Sequence, residues 1–428
     1  MPRHLLLASI VCVTLSACGR SAAIPDRQPA ARQPAADVTT NAAPAALGDD
    51  FALAKPVQHG NLTIFPVLSR LARSEDRFIT LDEGLKAGTV QILEMGARPN
   101  AGQQVEEAAQ TAANQTVDDP AAEEDDDAKP EAGDGEDLLF AGNDVNHLQV
   151  INRSSKPLYL MPGEIIVGGS QDRTIGEELV IAATGKAVPI EVFCVEHGRW
   201  GARDLAVGTL LLDEVLGDSA DAGDLASEAN DGKFVAHPGN LGKSGRRAVQ
   251  AGEGQQKVWD EVAKANCASG VNWASGAFTA NYVDKEVLKR LQPFQDALGL
   301  SVSKQERVVG VVVAINGKIE TVDVFESTPL FLKLWPQLLK SYALDALQAA
   351  EAEDARKSAT PGDAEAFLAS ILRDQEEGTR KTDGGLVVSR HETKDAISFS
   401  AGAMGGMGGG MGMGGFVGGP VHAAGYSK

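Results

Sequence analysis

Glu164, Gln171, Arg173, Glu196, His197, Arg199 and Trp200 are the side chains whose types and spacing could do chemistry. They fall in two short stretches, P-G-E-I-I-V-G-G-S-Q-D-R from Pro162 to Arg173 and P-I-E-V-F-C-V-E-H-G-R-W from Pro189 to Trp200. Each starts at a proline, runs through apolar residues that read as strand, and ends in charged and amide groups that a structural turn does not require. If the two strand ends are adjacent, the seven side chains form one patch. Trp200 would stack on a sugar or base, Arg173 or Arg199 would grip a carboxylate or phosphate, and Glu196 or Glu164 would serve as general base. The amides of Gly168-Gly169-Ser170 could approach the same anion. A structural reading accounts for the same residues: a buried salt-bridge network that fixes how two sheets and a helical half join. The sequence leaves both open, because no activated nucleophile with its base is visible. Strand alternation turns Cys194 inward with Ile190 and Val192, so neither a zinc site at Cys194, Glu196 and His197 nor a Cys194 nucleophile paired with His197 is expected. No metal or cofactor is expected.

These residues must be positioned by strands. From Phe51 to Arg203 the signals are mostly β: Gly60 to Val67, Phe78 to Leu81 and Val90 to Glu94 at hairpin-like spacing, then His147 to Asn152, Pro157 to Met161 and Glu164 to Val167. A further hairpin is expected between Thr174–Ala182 and Ala187–Val195, across Ala183 to Lys186. Successive short strands joined by tight turns argue for an antiparallel sandwich or barrel. After Arg203 the style changes. Helical spacing marks Gly245 to Asn266 and Asp284 to Leu298, and Asn316-Gly317 signals a hairpin between Arg307–Ile315 and Lys318–Phe325. A long helix from about Thr328 to Ala352 should be kinked or split by Pro336; a shorter one covers Asp363 to Leu372, and strands at Gly385–Ser389 and Asp395–Ser400 close the body. The expected class is α+β, a β-rich N-terminal half packed with a helix-hairpin-helix α+β C-terminal half.

Four motifs in order carry a family resemblance: the two stretches above, Q-Q-K-V-W-D-E-V from Gln255 to Val262, and I-N-G-K-I-E-T-V-D-V-F from Ile315 to Phe325 with the following L-W-P-Q-L-L-K-S-Y-A. Together they resemble the ARG-and-rhodanese-phosphatase-superfamily-associated protein domain over about Lys55 to Ser400. That name records association with ADP-ribosylglycohydrolase-like and phosphatase-like proteins, so the resemblance implies a prokaryotic domain and carries no catalytic role over to any residue here.

The N-terminus points to the envelope. Arg3 and His4 precede an apolar run from Leu5 to Leu15, too short to span a bilayer, and Leu15-Ser16-Ala17-Cys18 then resembles a lipoprotein signal. Residues 1–17 read as signal peptide and Cys18 as the site of lipidation, including palmitate. Gly19 in place of Asp implies sorting to the outer membrane, facing the periplasm. Residues 18–50 read as a disordered tether and 51–400 as the domain, β-rich over 51–203 and α+β over 204–400. Residues 401–428 read as a disordered Gly/Met-rich tail.

The formal charge of −20 is unevenly spread: residues 101–137 hold thirteen acidic side chains against Lys129 alone, and read as a solvated disordered insert. Nothing supplies the basic stripe that nucleic acid needs. The expected partners are the membrane through the lipid anchor, an envelope protein, and a small anionic ligand. Cys194 and Cys267 are the thiols left in an oxidising compartment, enough for one disulfide and not for a framework. The function these features imply is that of a non-enzymatic interaction or ligand-binding lipoprotein. The alternative is a hydrolase or binding protein for a phosphorylated or ADP-ribose-like metabolite, with its site at strand ends 164–173 and 191–200.

Overall fold

A computed structural model describes residues 46–47, 50–94, 146–169, 171–198, 234–349, 359–372, 379–381, 386–403 and 421–428. The signal peptide, Cys18, the tether as far as residue 45, the acidic insert, Arg199 and Trp200 lie outside the described residues.

Asn316 and Gly317 both adopt positive φ, 51° and 75°, the pair of left-handed conformations that a two-residue hairpin turn needs. Val308–Ile315 and Lys318–Phe325 accordingly pair antiparallel, as the dipeptide predicts. Val308–Ile315 is buried along its whole length. Its other neighbour is Leu62–Ser69, from the opposite end of the chain. A strand buried on both faces explains the nearly continuous run of valines. Leu62, Ile64, Val311 and Val313 face one core, while Phe65, Val67, Val312 and Ala314 face another.

These strands lie within a ten-stranded sheet whose path runs Ala46–Leu47, Phe51–Leu53, Leu62–Ser69, Val308–Ile315, Lys318–Phe325, His422–Ser427, Ala396–Ala403, Leu386–Glu392 and Thr379–Lys381, with Val57–His59 paired beside Leu62–Ser69. The α+β class holds, but the two expected halves interleave, since strands from both share this sheet. Pro44–Lys428 forms one compact unit. A second, six-stranded sheet runs Phe234–Asn240, Glu164–Gly168, Arg173–Ile175, Ala187–Cys194, His147–Asn152, Val90–Glu94, and a third joins Leu179–Ile181, Leu158–Leu160 and Ile79–Thr80.

Six helices cover these sheets among the described residues: α1 (Leu81–Lys86), α2 (Lys243–Gln250), α3 (Gln255–Ser269), α4 (Lys285–Ser303), α5 (Thr328–Gln348) and α6 (Pro361–Leu372). Leu291, Leu298, Leu334 and Leu338 of α4 and α5 fill the first core; Ala364, Leu368 and Ile371 of α6 fill the second. Asp284 caps α4 through the amides of Glu286 and Val287, and Ser327 caps α5 through that of Leu330. Helix α5 runs unbroken past Pro336.

Four further expectations change. Leu81 opens α1 rather than ending a strand, because Thr80 and Glu83 form a capping box. The single helix expected from Gly245 divides into α2 and α3 at Gly252 and Gly254, which take φ of 64° and 86°. The hairpin expected over 174–195 splits between sheets: Arg173–Ile175 pairs with Cys194–Val192, but Leu179–Ile181 pairs with Leu160–Leu158. Finally, the end of the supposed disordered tail is a strand. His422–Ser427 lies between Lys318–Phe325 and Ala396–Ala403, with His422 through Tyr426 buried.

An alanine Cβ at position 310 would stand 2.1 Å from the Asp323 carbonyl oxygen and 2.8 Å from the Val324 Cα, both backbone atoms. Gly310→Ala is therefore expected to destabilise the protein by about 2 kcal/mol. Gly362→Ala, whose Cβ meets only the Thr360 hydroxyl at 3.8 Å, is expected to change stability by less than ~1 kcal/mol. Urea unfolding of both variants beside the wild type checks the difference.

Candidate functional site

The two motif stretches meet as neighbouring strands, with Arg173 opposite both Ile166 and Cys194. Their polar residues do not form one open patch. Glu164, Gln171, Arg173 and Glu196 are each no more than 4% exposed, whereas His197 is exposed. They divide into two groups held by different elements.

Glu164 sits at the start of its strand, after the Pro162-Gly163 turn. One carboxylate oxygen accepts the Met161 amide at 2.7 Å and the other accepts Gln337 Nε2 of α5 at 3.1 Å. Burial raises its pKa to about 7, more than these two hydrogen bonds lower it. Gly163 has a φ of 89°, and a Cβ there would fall 2.3 Å from Asn240 Oδ1 and 2.6 Å from Arg246 Cγ. The Pro-Gly pair of the first motif thus leaves room for the stem of Arg246.

The second group joins the strand ends to the turn before α4. The Asp172 amide donates to Glu196 Oε2 at 3.2 Å, and the Thr279 hydroxyl donates to Asp172 Oδ2 at 3.0 Å. Glu196 also bridges to Ala277 through the backbone. Gln255, from the third motif, completes the end of the strand: its side-chain oxygen accepts the Cys194 amide and its nitrogen donates to the Cys194 carbonyl, both at 2.8 Å. A glutamine here does what a neighbouring strand would do. His197 packs edge-on against Trp259 at 4.4 Å. Cys194 is buried and Cys267 exposed, no disulfide joins them, and burial raises the Cys194 thiol pKa above its ordinary value.

The most concentrated chemistry lies among residues that sequence reasoning did not single out. Arg246 of α2 donates to both oxygens of Asp323, at 3.0 and 2.5 Å. Tyr342 of α5 donates to the same carboxylate. His422 bridges two acids, with Nε2 3.0 Å from Asp323 Oδ1 and Nδ1 3.1 Å from Glu178 Oε2, and the Tyr159 hydroxyl donates to Glu178 Oε1 at 2.8 Å. All six side chains are buried. The His422 ring stacks on Phe325 at 4.3 Å with 12° between planes, and Arg246 lies over the Tyr426 ring at 5.6 Å. Asp323 lies in the fourth motif, where nothing set it apart from Glu320 of the same strand. His422 was hidden by its glycine-rich surroundings.

Burial alone would raise the Asp323 pKa, but Arg246 and His422 overcome it and hold the carboxyl well below the usual range. Burial alone would lower that of His422; Glu178 and Asp323 prevail and push it up to about 9. Arg246 and His422 therefore face Asp323 and Glu178 inside the buried core.

A cleft of about 200 Å³ opens elsewhere, between α2, α3 and α5, floored by Val262, Phe278 and Leu344 and edged by Ser244, Lys264 and Asp345. Glu261 and Val262 of the third motif line it, whereas Glu164, Gln171, Arg173, Glu196 and His197 do not. Asp345 accepts the Lys243 amide at 2.8 Å, capping α2 from outside, while burial raises its pKa to about 6. Among the described residues no group of three or more His, Cys, Asp or Glu side chains is placed to hold a metal ion.

The family model of the ARG and Rhodanese-Phosphatase-superfamily-associated Protein domain matches residues 50–404. The chain belongs to this family. Comparison with curated proteins and with solved structures gave no match. Within the family match lie both motif groups and Arg246, Asp323, Glu178, Tyr159 and Tyr342; His422 lies beyond it.

The charge set carries a pH signature. His422 has a folded pKa of about 9, above the ordinary histidine value of about 6.5. Its contribution to stability is fully present below the unfolded value and is lost as pH rises through the folded one. Unfolding free energy is expected to fall between about pH 6.5 and 9, and His422→Gln to be less stable at pH 6 and to lack that part of the slope. Urea titrations across this range check both expectations.

Proposed function

We propose that the chain is a non-enzymatic, lipid-anchored interaction module of the cell envelope. The supporting observation is the fate of the motif side chains: Glu164, Gln171, Arg173 and Glu196 are buried in the joint between sheets and helices. Glu164 and Glu196 spend carboxylate oxygens on backbone amides of the fold itself, those of Met161 and Asp172. A general base must reach a substrate proton, and a gripping arginine must reach an anion. Such burial fits residues that set the packing of a rigid body. The anchor rests on the Leu15-to-Cys18 signal, and Gly19 favours the outer membrane, facing the periplasm. No helix among the described residues is long and apolar enough to cross a membrane. The thirteen acids of residues 101–137 give the module a strongly anionic segment to present to an envelope partner.

The competing reading is a hydrolase or binding protein for a phosphorylated or ADP-ribose-like metabolite. It would draw on His197, which among the described candidates is the one exposed, beside Trp259. A thermal-shift panel of ADP-ribose, nucleotides and sugar phosphates separates the two. The module reading predicts no shift in wild type, together with detergent-phase partitioning that Cys18→Ala abolishes. Stabilisation by any of these ligands that His197→Ala removes would overturn the non-enzymatic reading in favour of the ligand site.

A further inference from the structure

We propose that Glu178, Asp323 and the face of Phe325 form a binding site for a planar organic cation, which this chain fills with its own His422. Three observations carry this. The first is geometry: each ring nitrogen of His422 meets a different carboxylate, at 3.1 and 3.0 Å, while the ring lies flat on Phe325 at 4.3 Å. Two acids in the plane of a ring and an aromatic face beneath it are what recognition of an imidazolium- or amidinium-like ligand requires. The second is the wall around it. Tyr159 donates to Glu178, and Tyr342 and Arg246 donate to Asp323, so both carboxylates are oriented by groups other than the histidine. The third is provenance. All these walls lie within the family match of residues 50–404, while the occupant comes from the strand His422–Ser427, separated from Ala403 by residues 404–421, ten of which are glycine. The domain supplies the receptor and the last strand supplies the ligand.

The side groups that would discriminate among ligands follow from the same contacts. A neutral planar ring of the same size could stack on Phe325 but would leave at least one buried carboxylate without a charged partner. A non-planar ammonium would meet one acid at a time.

Replacing His422 in the full chain with alanine opens the site while leaving the backbone of the strand in place. In His422→Ala, millimolar imidazole at pH 6 is expected to raise the Tm in a saturable manner, with no such effect on wild type. Pyrazole, the neutral isostere at that pH, should bind about tenfold more weakly or worse. Adding Glu178→Gln to His422→Ala should abolish the preference for imidazole. If His422→Ala does not fold alone, refolding in the presence of imidazole but not pyrazole supports the site, and failure to refold with either overturns it. Equal stabilisation by imidazole and pyrazole would reduce the site to an apolar slot, and no stabilisation by imidazole would remove it.

Discussion

The Arg246–Asp323 pair is where the layers of this protein are fastened. A guanidinium and a carboxylate taken out of water lose hydration worth several kcal/mol each, and they remain charged only because each finds the other with paired hydrogen bonds. Here the pair does not stand alone. His422 shares Asp323 and adds Glu178, while Tyr342 and Tyr159 satisfy the outer oxygens. Each member comes from a different element: Arg246 from α2, Asp323 and His422 from adjacent strands, Tyr342 from α5, Tyr159 from the third sheet, and Glu178 from the segment leading to its strand Leu179–Ile181. Apolar contact would hold these layers together without fixing their relative placement. Directional bonds to a balanced set of charges do fix it.

The shape of the backbone around the pair follows from the same requirement. Gly163 yields space to the Arg246 stem, and Gly310 lets the hairpin close tightly beside Asp323. Glu164, held by Met161 and Gln337, extends the polar layer toward α5. The second motif does comparable work at the far end of its strand, where Asp172, Glu196, Thr279 and Gln255 tie the six-stranded sheet to α3 and the turn before α4. The motifs that carry the family resemblance therefore mark joints between layers.

How much of this the sequence disclosed depended on whether a local signal survived its context. Asn316-Gly317 and the valine runs beside it are local and were read correctly. Helix α5 was legible from its apolar spacing, but its unbroken passage over Pro336, where a kink or split was expected, was not. The hairpin expected over 174–195 failed because Leu179–Ile181 finds a partner in Leu158–Leu160, a long-range choice that periodicity does not encode. The final strand was the largest miss. H-A-A-G-Y-S has weak β-propensity and follows a glycine-rich stretch, yet a Cβ at Gly425 would meet Ile371 Cδ1 at 2.5 Å. That glycine is a packing requirement against α6, and composition alone cannot distinguish it from its low-complexity neighbours. Glu164, Gln171, Arg173, Glu196 and His197 do lie at strand ends, but adjacency in the sheet leaves the first four buried.

A double-mutant cycle on the fastening pair tests the account most directly. Removing Arg246 as Arg246→Met leaves an excess negative charge in the core, and Asp323→Asn leaves an excess positive one; each single change should lower the unfolding free energy by about 3–5 kcal/mol. The double variant restores the charge balance between His422 and Glu178, so its stability should exceed that of either single variant. If the two losses simply add, the pair is not the coupled centre of the fold and the account is contradicted.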